Sequence, residues 1–143
     1  MICKVFIDKE HEEEVLIYAH KETPLVTAIQ QLTEEDAFIL VGSNDRETVQ
    51  LRPADVHCFI TENNKVYALT ATEKLQLKYR LYQVEAQLSE QFVKINQSCI
   101  ANIRAIQRFD ATISGALRVR FKNGYSDFVS RRNLKNVKER LGF

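Results

Sequence analysis

The sequence has 143 residues, of which 45% are hydrophobic and 27% charged, and its formal net charge is +1. That length supports a hydrophobic core in one domain, or in one domain with a small extension. The sequence contains no apolar run of about 18 residues, so no membrane-spanning helix is predicted. It contains no glycine-rich phosphate-binding loop, so no nucleotide site is predicted.

Charge is distributed unevenly along the chain. Residues 1–73 contain 6 lysines and arginines against 14 aspartates and glutamates, whereas residues 74–143 contain 14 against 5. A strongly basic half is the electrostatic footprint of a protein that binds a polyanion. Alternatively, the acidic half folds over the basic half and neutralises it.

The cysteines and histidines argue against catalysis and metal binding. Cys3, Cys58 and Cys99 are widely spaced, and no histidine forms a nucleophile–base group or a zinc spacing with them. Three unpaired cysteines predict buried thiols in a reducing compartment, the cytoplasm. His11, beside three glutamates, fits a solvated turn better than a metal site. We therefore expect no enzymatic activity, no cofactor and no small-molecule substrate.

The first residues predict a small β-β-α extension. Residues 1–8 and 14–19 suggest two strands around an acidic turn. Thr23 is placed to cap a helix that starts with Pro24. The helix has apolar residues at helical spacing, which are Leu25, Ala28, Ile29 and Leu32. The extension, residues 1–35, is expected to pack on the main domain, residues 36–143, or to form a dimer surface.

The middle of the chain is predicted to be mainly β. Alternating and apolar runs predict strands at 37–41, 48–51, 55–61, 65–70 and 75–79, followed by a short helix over 81–88. A later apolar run from Phe92 is interrupted by Asn96, Gln97 and Ser98. If buried, these side chains need hydrogen-bond partners; if exposed, the amides can read adenine in the major groove.

The last third predicts a hairpin and a helix. Asn123-Gly124 lies between two strand-like runs, 117–121 and 125–129, and favours a type I′ turn. Ser130 is a good helix cap, and Leu134, Val137 and Leu141 follow on one helical face. Arg131 and Arg132 then fall in the first turn, where cations are disfavoured. They are either solvated, or they face an anion or a guanine edge.

Together these motifs resemble the LytTR family of bacterial DNA-binding domains. The pattern F-x-K-I-x-x-S-x-I-x-N-I begins at Phe92, a strand–Asn–Gly–strand unit follows, and S-R-R-N-L-K begins at Ser130. The resemblance spans about residues 36–143 and is densest after Phe92. It implies a mainly β fold (α+β overall) with many strands and short helices. Such a fold presents loops, rather than a recognition helix, to successive major grooves.

The resemblance also implies DNA-binding positions in three places, which are Asn63, Asn64 and Lys65, then Asn96 and Gln97, then Arg131, Arg132 and Lys135. Family members often have His or Arg followed by Asn where Asn96 and Gln97 stand, so base contact and loop bracing both stay open for this pair. An ordinary polar turn is the alternative for residues 63–65. We expect Arg132 to be the principal base-reading residue.

The function implied is a sequence-specific, double-stranded DNA-binding transcriptional regulator that acts as a homodimer. A phosphorylatable receiver domain needs about 120 residues, whereas the extension before the main domain has about 35. Control by a phosphorelay is therefore not expected. Short family members are often paired with a small membrane protein that restrains them, which adds such a protein as a candidate partner. The alternative function is a protein-interaction module that sequesters an acidic partner or a related regulator.

Overall fold

The computed structural model describes residues 1–35 and 40–143. Its helices are α1 (Pro24–Glu35), α2 (Leu81–Gln87) and α3 (Arg131–Leu141). Its strands are β1 (Leu40–Ser43), β2 (Thr48–Leu51), β3 (Val56–Glu62), β4 (Lys65–Thr70), β5 (Lys74–Leu77), β6 (Phe92–Asn96), β7 (Cys99–Asn102), β8 (Ile106–Ala111), β9 (Leu117–Phe121) and β10 (Ser126–Val129). Short 3₁₀ turns, Pro53–Asp55 and Ile103–Ala105, precede β3 and β8.

The strands form two antiparallel sheets. The larger sheet has seven strands in the order β2-β1-β5-β4-β3-β7-β6, and the smaller has three in the order β10-β9-β8. This architecture confirms the predicted mainly β fold with short helices. Of the predicted strand at 37–41, residues 37–39 lie outside the described residues, and β1 begins at Leu40.

The central strands of the large sheet are buried on both faces, since their residues alternate between two core clusters. On β3, Cys58 and Ile60 belong to a cluster shared with the small sheet and α3, through Phe121 and Val137. Phe59, between them in sequence, points to the other cluster, which includes Val84 of α2. Strands buried on both faces read as continuous apolar runs, as β3 does.

The helices begin where their capping residues predict, but α1 buries a different face. The N–H of Val26 donates to Thr23 Oγ1 at 3.3 Å, which confirms Thr23 as the cap. Val26 is buried, whereas Leu25 and Leu32 are more than half exposed. The predicted apolar stripe through these two leucines is therefore not the packed face of α1.

The two predicted N-terminal strands do not form. Residues 1–23 contain neither helix nor strand, although a turn occurs at 9–11, where the N–H of Glu10 donates to Asp8 Oδ1 at 3.0 Å. A lone pair of strands is only marginally stable in water, and none of the ten described strands pairs with this segment. The prediction fails because a strand needs a partner.

The tightest hairpin turn lies at a different place from the one predicted. Asn63 and Asn64 have φ of 53° and 61°, the two positive values that a type I′ turn requires. In the other hairpin only Gly124 has positive φ, at 91°, and Tyr125 accepts a hydrogen bond from the N–H of Phe121 through its carbonyl oxygen. A three-residue loop with glycine in the left-handed position explains this geometry.

Candidate nucleic-acid interface

Three connections meet at one end of the large sheet. The N–H of Thr61 donates to the carbonyl oxygen of Ser98 at 2.9 Å, which joins the β3–β4 hairpin to the β6–β7 turn. The N–H of Ser130 donates to the carbonyl oxygen of Ile95 at 2.8 Å, which joins the start of α3 to β6. We call residues 62–65, 96–98 and 130–132 together the three-loop surface. It contains seven of the eight predicted DNA-binding residues.

The β3–β4 hairpin presents an exposed cation on a rigid turn. Asn63, Asn64 and Lys65 are all exposed. The asparagines have a conformational reason for being there, because Asn tolerates the left-handed region that this turn requires. Glu62, at the base of the turn, pairs with Lys74 at 3.0 Å. Lys65 has no ion-pair partner among the described residues, so its charge faces solvent.

Asn96 braces the β6–β7 turn with both ends of its amide. Its Oδ1 accepts a hydrogen bond from the N–H of Ser98 at 2.8 Å, and its Nδ2 donates to the carbonyl oxygen of Phe128 at 2.8 Å. The side chain is therefore committed to the fold. Gln97 is exposed at the tip of the same turn, and its amide has no side-chain hydrogen bond to any described residue.

The N-cap side chain of α3 makes no hydrogen bond to the first backbone amides of the helix. Ser130 occupies the N-cap position, but its hydroxyl accepts from Asn133 Nδ2 at 2.8 Å instead of from a backbone amide. Arg131 and Arg132 follow and are exposed. Neither forms an ion pair with a described residue. The positive end of the helix dipole and two free guanidinium groups thus coincide, an arrangement suited to an anion.

The rest of α3 is anchored firmly beneath these arginines. Val137 is fully buried. Arg140 donates one hydrogen bond to the carbonyl oxygen of Phe92 at 2.8 Å and another to that of Glu90. Lys135, the eighth predicted residue, is exposed one turn after Arg131 and lies 4.0 Å from Glu139. An exposed pair at that distance contributes little, so Lys135 stays available to an external phosphate.

Several other cations of the basic half are paired within the fold. Arg118 and Arg120 each lie 3.3 Å from Asp110 Oδ2. Lys94 lies 3.8 Å from Glu85, and Arg104 donates a hydrogen bond to Gln31 of α1. Among the described residues, the ion pair between Lys74 and Glu62 is the one that joins the acidic half to the basic half. The charges of Lys65, Arg131 and Arg132 are therefore not neutralised by ion pairs with described residues of the acidic half.

Phe128 is a residue of this site that sequence reasoning missed. Its side chain is 48% exposed beside the Asn96 brace. The available signal was alternation, since Val129 is buried and its neighbour on β10 must point outward. An exposed aromatic ring next to polar loops is able to contact the methyl group of thymine.

Behind the three-loop surface, the buried thiol and the tyrosine hydroxyl are protonated and therefore uncharged. A hydrogen bond with Cys58, together with burial, raises the pKa of the Cys99 thiol well above its usual range. Burial also raises the pKa of the Tyr125 hydroxyl, with Asp127 nearby adding to the effect. Protonated thiols are poor nucleophiles. Among the described parts of the chain, no three His, Cys, Asp or Glu side chains are grouped to hold a metal ion.

Comparison with known proteins supports a DNA-binding role for this chain. A family model described as the LytTr DNA-binding domain matches residues 46–142. An uncharacterized HTH-type transcriptional regulator of Staphylococcus aureus strain MSSA476 is 35% identical, over 99% of this chain and 98% of its own length. A regulator with the same description from strain NCTC 8325 is 34% identical over the same shares.

A solved structure has the same fold. It is a LytTr DNA-binding domain from Bacillus cereus, which matches with a TM-score of 0.68 at 19% identity and covers 73% of this chain and 97% of its own length. In this chain, strands separate each described helix from the next, so none of them forms a helix-turn-helix pair. No described helix is long and apolar enough to cross a membrane.

Proposed function

Because this chain belongs to the LytTR family of DNA-binding domains, we propose that it is a transcriptional regulator that reads specific sequences in the major groove of double-stranded DNA. Its family and its relatives make it a DNA-binding regulator. The observation that supports sequence reading is the three-loop surface, where three loops and three cations without ion-pair partners share one end of the sheet.

The proposal divides the surface between affinity and specificity. Lys65 and Lys135 neutralise phosphates and set the position of the protein on the duplex, which adds affinity for any sequence. Arg132, supported by Arg131, grips a guanine through its two edge acceptors. Gln97, whose amide is free and exposed, pairs with an adenine. Each such base contact discriminates against a wrong base by about 1–3 kcal/mol.

Three of the predicted contact residues act on the shape of the surface. Asn63 and Asn64 supply the left-handed conformations of the turn and so place Lys65. Asn96 ties the β6–β7 turn to β10 and so places Gln97. We assign all three a supporting role: Asn63 and Asn64 through their backbone conformation, and Asn96 because an amide with both ends bonded within the fold has less capacity left for a base edge.

Two further features complete the proposal. The free thiols Cys58 and Cys99 are buried, as expected for a protein of the reducing cytoplasm, whereas the prediction of a buried thiol is wrong for Cys3, which is exposed. A homodimer matches the two-fold symmetry of many operator sites. We therefore propose a cytoplasmic, homodimeric regulator.

Fluorescence anisotropy tests this function. The full chain is titrated against a duplex from its own upstream region and against a shuffled duplex, each at several salt concentrations. We expect a preference of about a thousandfold or more for the native duplex, with affinity that falls steeply as salt rises. Equal, weak and salt-sensitive binding to both duplexes would overturn sequence reading. It would favour the alternative function, a module whose basic surface binds an acidic protein.

A further inference from the structure

The N-terminal arm, which we define as residues 1–18, exposes apolar side chains that the rest of the chain does not cover. Among the described residues, eight of the sixteen exposed large hydrophobic side chains lie in the arm. Phe6 is 84% exposed and Ile7 90%. Contiguous exposure on this scale marks an interaction surface. Large apolar residues would be costly to leave in water if nothing covered them.

We propose that the N-terminal arm pairs with the arm of a second copy of this chain, as antiparallel strands about a two-fold axis beside Phe6, and that this pairing forms the homodimer interface. The arm has the composition of a strand but pairs with none of the strands in the described part of its own chain. Its backbone N–H and C=O groups are therefore available to another strand, which is the basis of recognition by strand addition.

The charges of the arm select the register of pairing. Directly opposite residues of an antiparallel pair lie on the same face, so the axis must pass beside one residue. An axis beside Phe6 pairs Lys4 with Asp8 of the partner subunit, Val5 with the partner's Ile7, and Phe6 with the partner's Phe6. Within residues 4–8, every pair joins opposite charges or two apolar residues. In the same segment, a shift of the axis to Val5 or Ile7 places Phe6 opposite a charged residue, Lys4 or Asp8.

The chemistry of the segment fits a second copy better than a lipid surface. Residues 1–23 contain three lysines and six acidic residues, so an anionic membrane would repel them. The register beside Phe6 is complementary to itself, which a two-fold interface requires. The arm contributes eight exposed large apolar side chains to such an interface.

The arm is also separate from the DNA-binding surface. The family match begins at residue 46, whereas the Staphylococcus relatives align over 99% of this chain and so include the arm. Between the arm and the sheets, α1 is fixed to the main domain by the buried Val26 and by the hydrogen bond from Arg104 to Gln31. A dimer formed by the arms would therefore hold two three-loop surfaces in one assembly.

Sedimentation velocity of the full chain over a range of concentrations tests the interface. We expect a dimer that Phe6→Asp weakens by a hundredfold or more. Lys4→Asp and Asp8→Lys should each weaken it by about tenfold, since each places like charges opposite one another twice per dimer. The double variant Lys4→Asp/Asp8→Lys should restore wild-type affinity. Lys21→Asp, an exposed charge change outside the arm, is the matched control and should have no effect.

Cross-linking tests the register independently. In a Cys3→Ser background, Phe6→Cys places two thiols directly opposite, within the Cα separation of about 4.4–6.8 Å that a disulfide needs. Diamide should therefore give a covalent dimer. Asp8→Cys is the control, because the two positions 8 would lie four residues apart along the strands, about 13 Å, and should not cross-link.

Each outcome decides something. A wild-type chain that stays monomeric throughout would overturn the homodimer and redirect the arm to another protein or a membrane component. A dimer that is insensitive to the arm variants would overturn this interface, and cross-linking at position 8 but not at 6 would overturn the register. Circular dichroism confirms that each variant is folded. Binding of monomeric Phe6→Asp to a single half-site keeps failure of the dimer distinguishable from failure of DNA binding.

Discussion

Asn96 Nδ2 donates a hydrogen bond to the carbonyl oxygen of Phe128, 2.8 Å away, and so connects the end of β6 to strand β10, 32 residues apart in sequence. Because Ser130 begins α3 two residues after Phe128, this bond also fixes where the arginines of α3 start. Base contact and loop bracing were both open for Asn96, and its two hydrogen bonds favour loop bracing.

Replacement of Asn96 by alanine should loosen the whole three-loop surface. The variant loses two hydrogen bonds, each of which contributes about 1 kcal/mol. Its thermal midpoint should fall by several degrees, and its affinity should fall for cognate and random duplexes alike. Gln97→Ala is the matched control, with unchanged thermal stability and reduced discrimination at one base pair. An Asn96→Ala protein with wild-type stability and a loss confined to one base pair would assign Asn96 to base reading.

Arg132 and Lys135 should differ in what they contribute to binding. Arg132→Ala should reduce the preference for the cognate duplex by about 10–100-fold, the loss of 1–3 kcal/mol expected for a bidentate guanine contact. Lys135→Ala should weaken binding to all sequences and lower the slope of log affinity against log salt by about 1. Anisotropy titrations against cognate and shuffled duplexes measure both. Identical losses in the two variants would contradict the assignment of Arg132.

The turn at Asn63 and Asn64 separates a conformational role from a contact role. Asn64→Ala should destabilise the protein by about 1 kcal/mol, because alanine is strained at positive φ. Asn64→Gly removes the same amide but tolerates the conformation, so it should keep both stability and DNA affinity. Urea denaturation and anisotropy measure the two effects. Loss of affinity in Asn64→Gly at unchanged stability would show that the amide contacts DNA.

Sequence patterns predicted local features and missed those that depend on distant partners. Helices α2 and α3 and strands β3 and β4 follow from apolar periodicity and capping residues, and all four form. Asn123-Gly124 did predict a hairpin, but the type of turn depends on loop length, which the dipeptide alone does not specify. The N-terminal strands were predicted from composition and did not form, because composition cannot supply the neighbouring strand.

In the candidate site, too, the sequence predicted local features and missed those that depend on distant partners. Residue type identified Arg131, Arg132 and Gln97 as candidates, and each is exposed. No local sequence feature indicated that the Asn96 amide would donate a hydrogen bond to Phe128, because Phe128 lies on another hairpin. The geometry of the site could therefore be determined only from the structure, whereas the candidate residue types could be identified from the sequence.

Thiol labelling should distinguish the three cysteines. Cys3 is exposed, whereas Cys58 and Cys99 are buried, and the pKa of Cys99 is raised by its hydrogen bond to Cys58 and by burial. A thiol reagent should modify one cysteine rapidly in the native protein and all three in denaturant. Cys3→Ser should abolish the rapid phase. A rapid phase that survives in Cys3→Ser would mean that the core opens readily at β3 and β7.

His57 should make the fold sensitive to mild acid. Burial, with Lys122 nearby, lowers the pKa of His57 from its usual 6.5, and its buried Nδ1 has no hydrogen-bond partner among the described residues. In mild acid, His57 therefore binds a proton more readily in the unfolded chain than in the folded chain. The associated stability is fully present above pH 6.5 and is lost as pH falls toward the lowered folded-state pKa. Urea denaturation between pH 7.5 and 5 should show a smaller decline for His57→Gln than for wild type, while the exposed control His20→Gln keeps the wild-type decline. Equal declines in all three proteins would show that His57 is protonated as easily in the fold as in the unfolded chain.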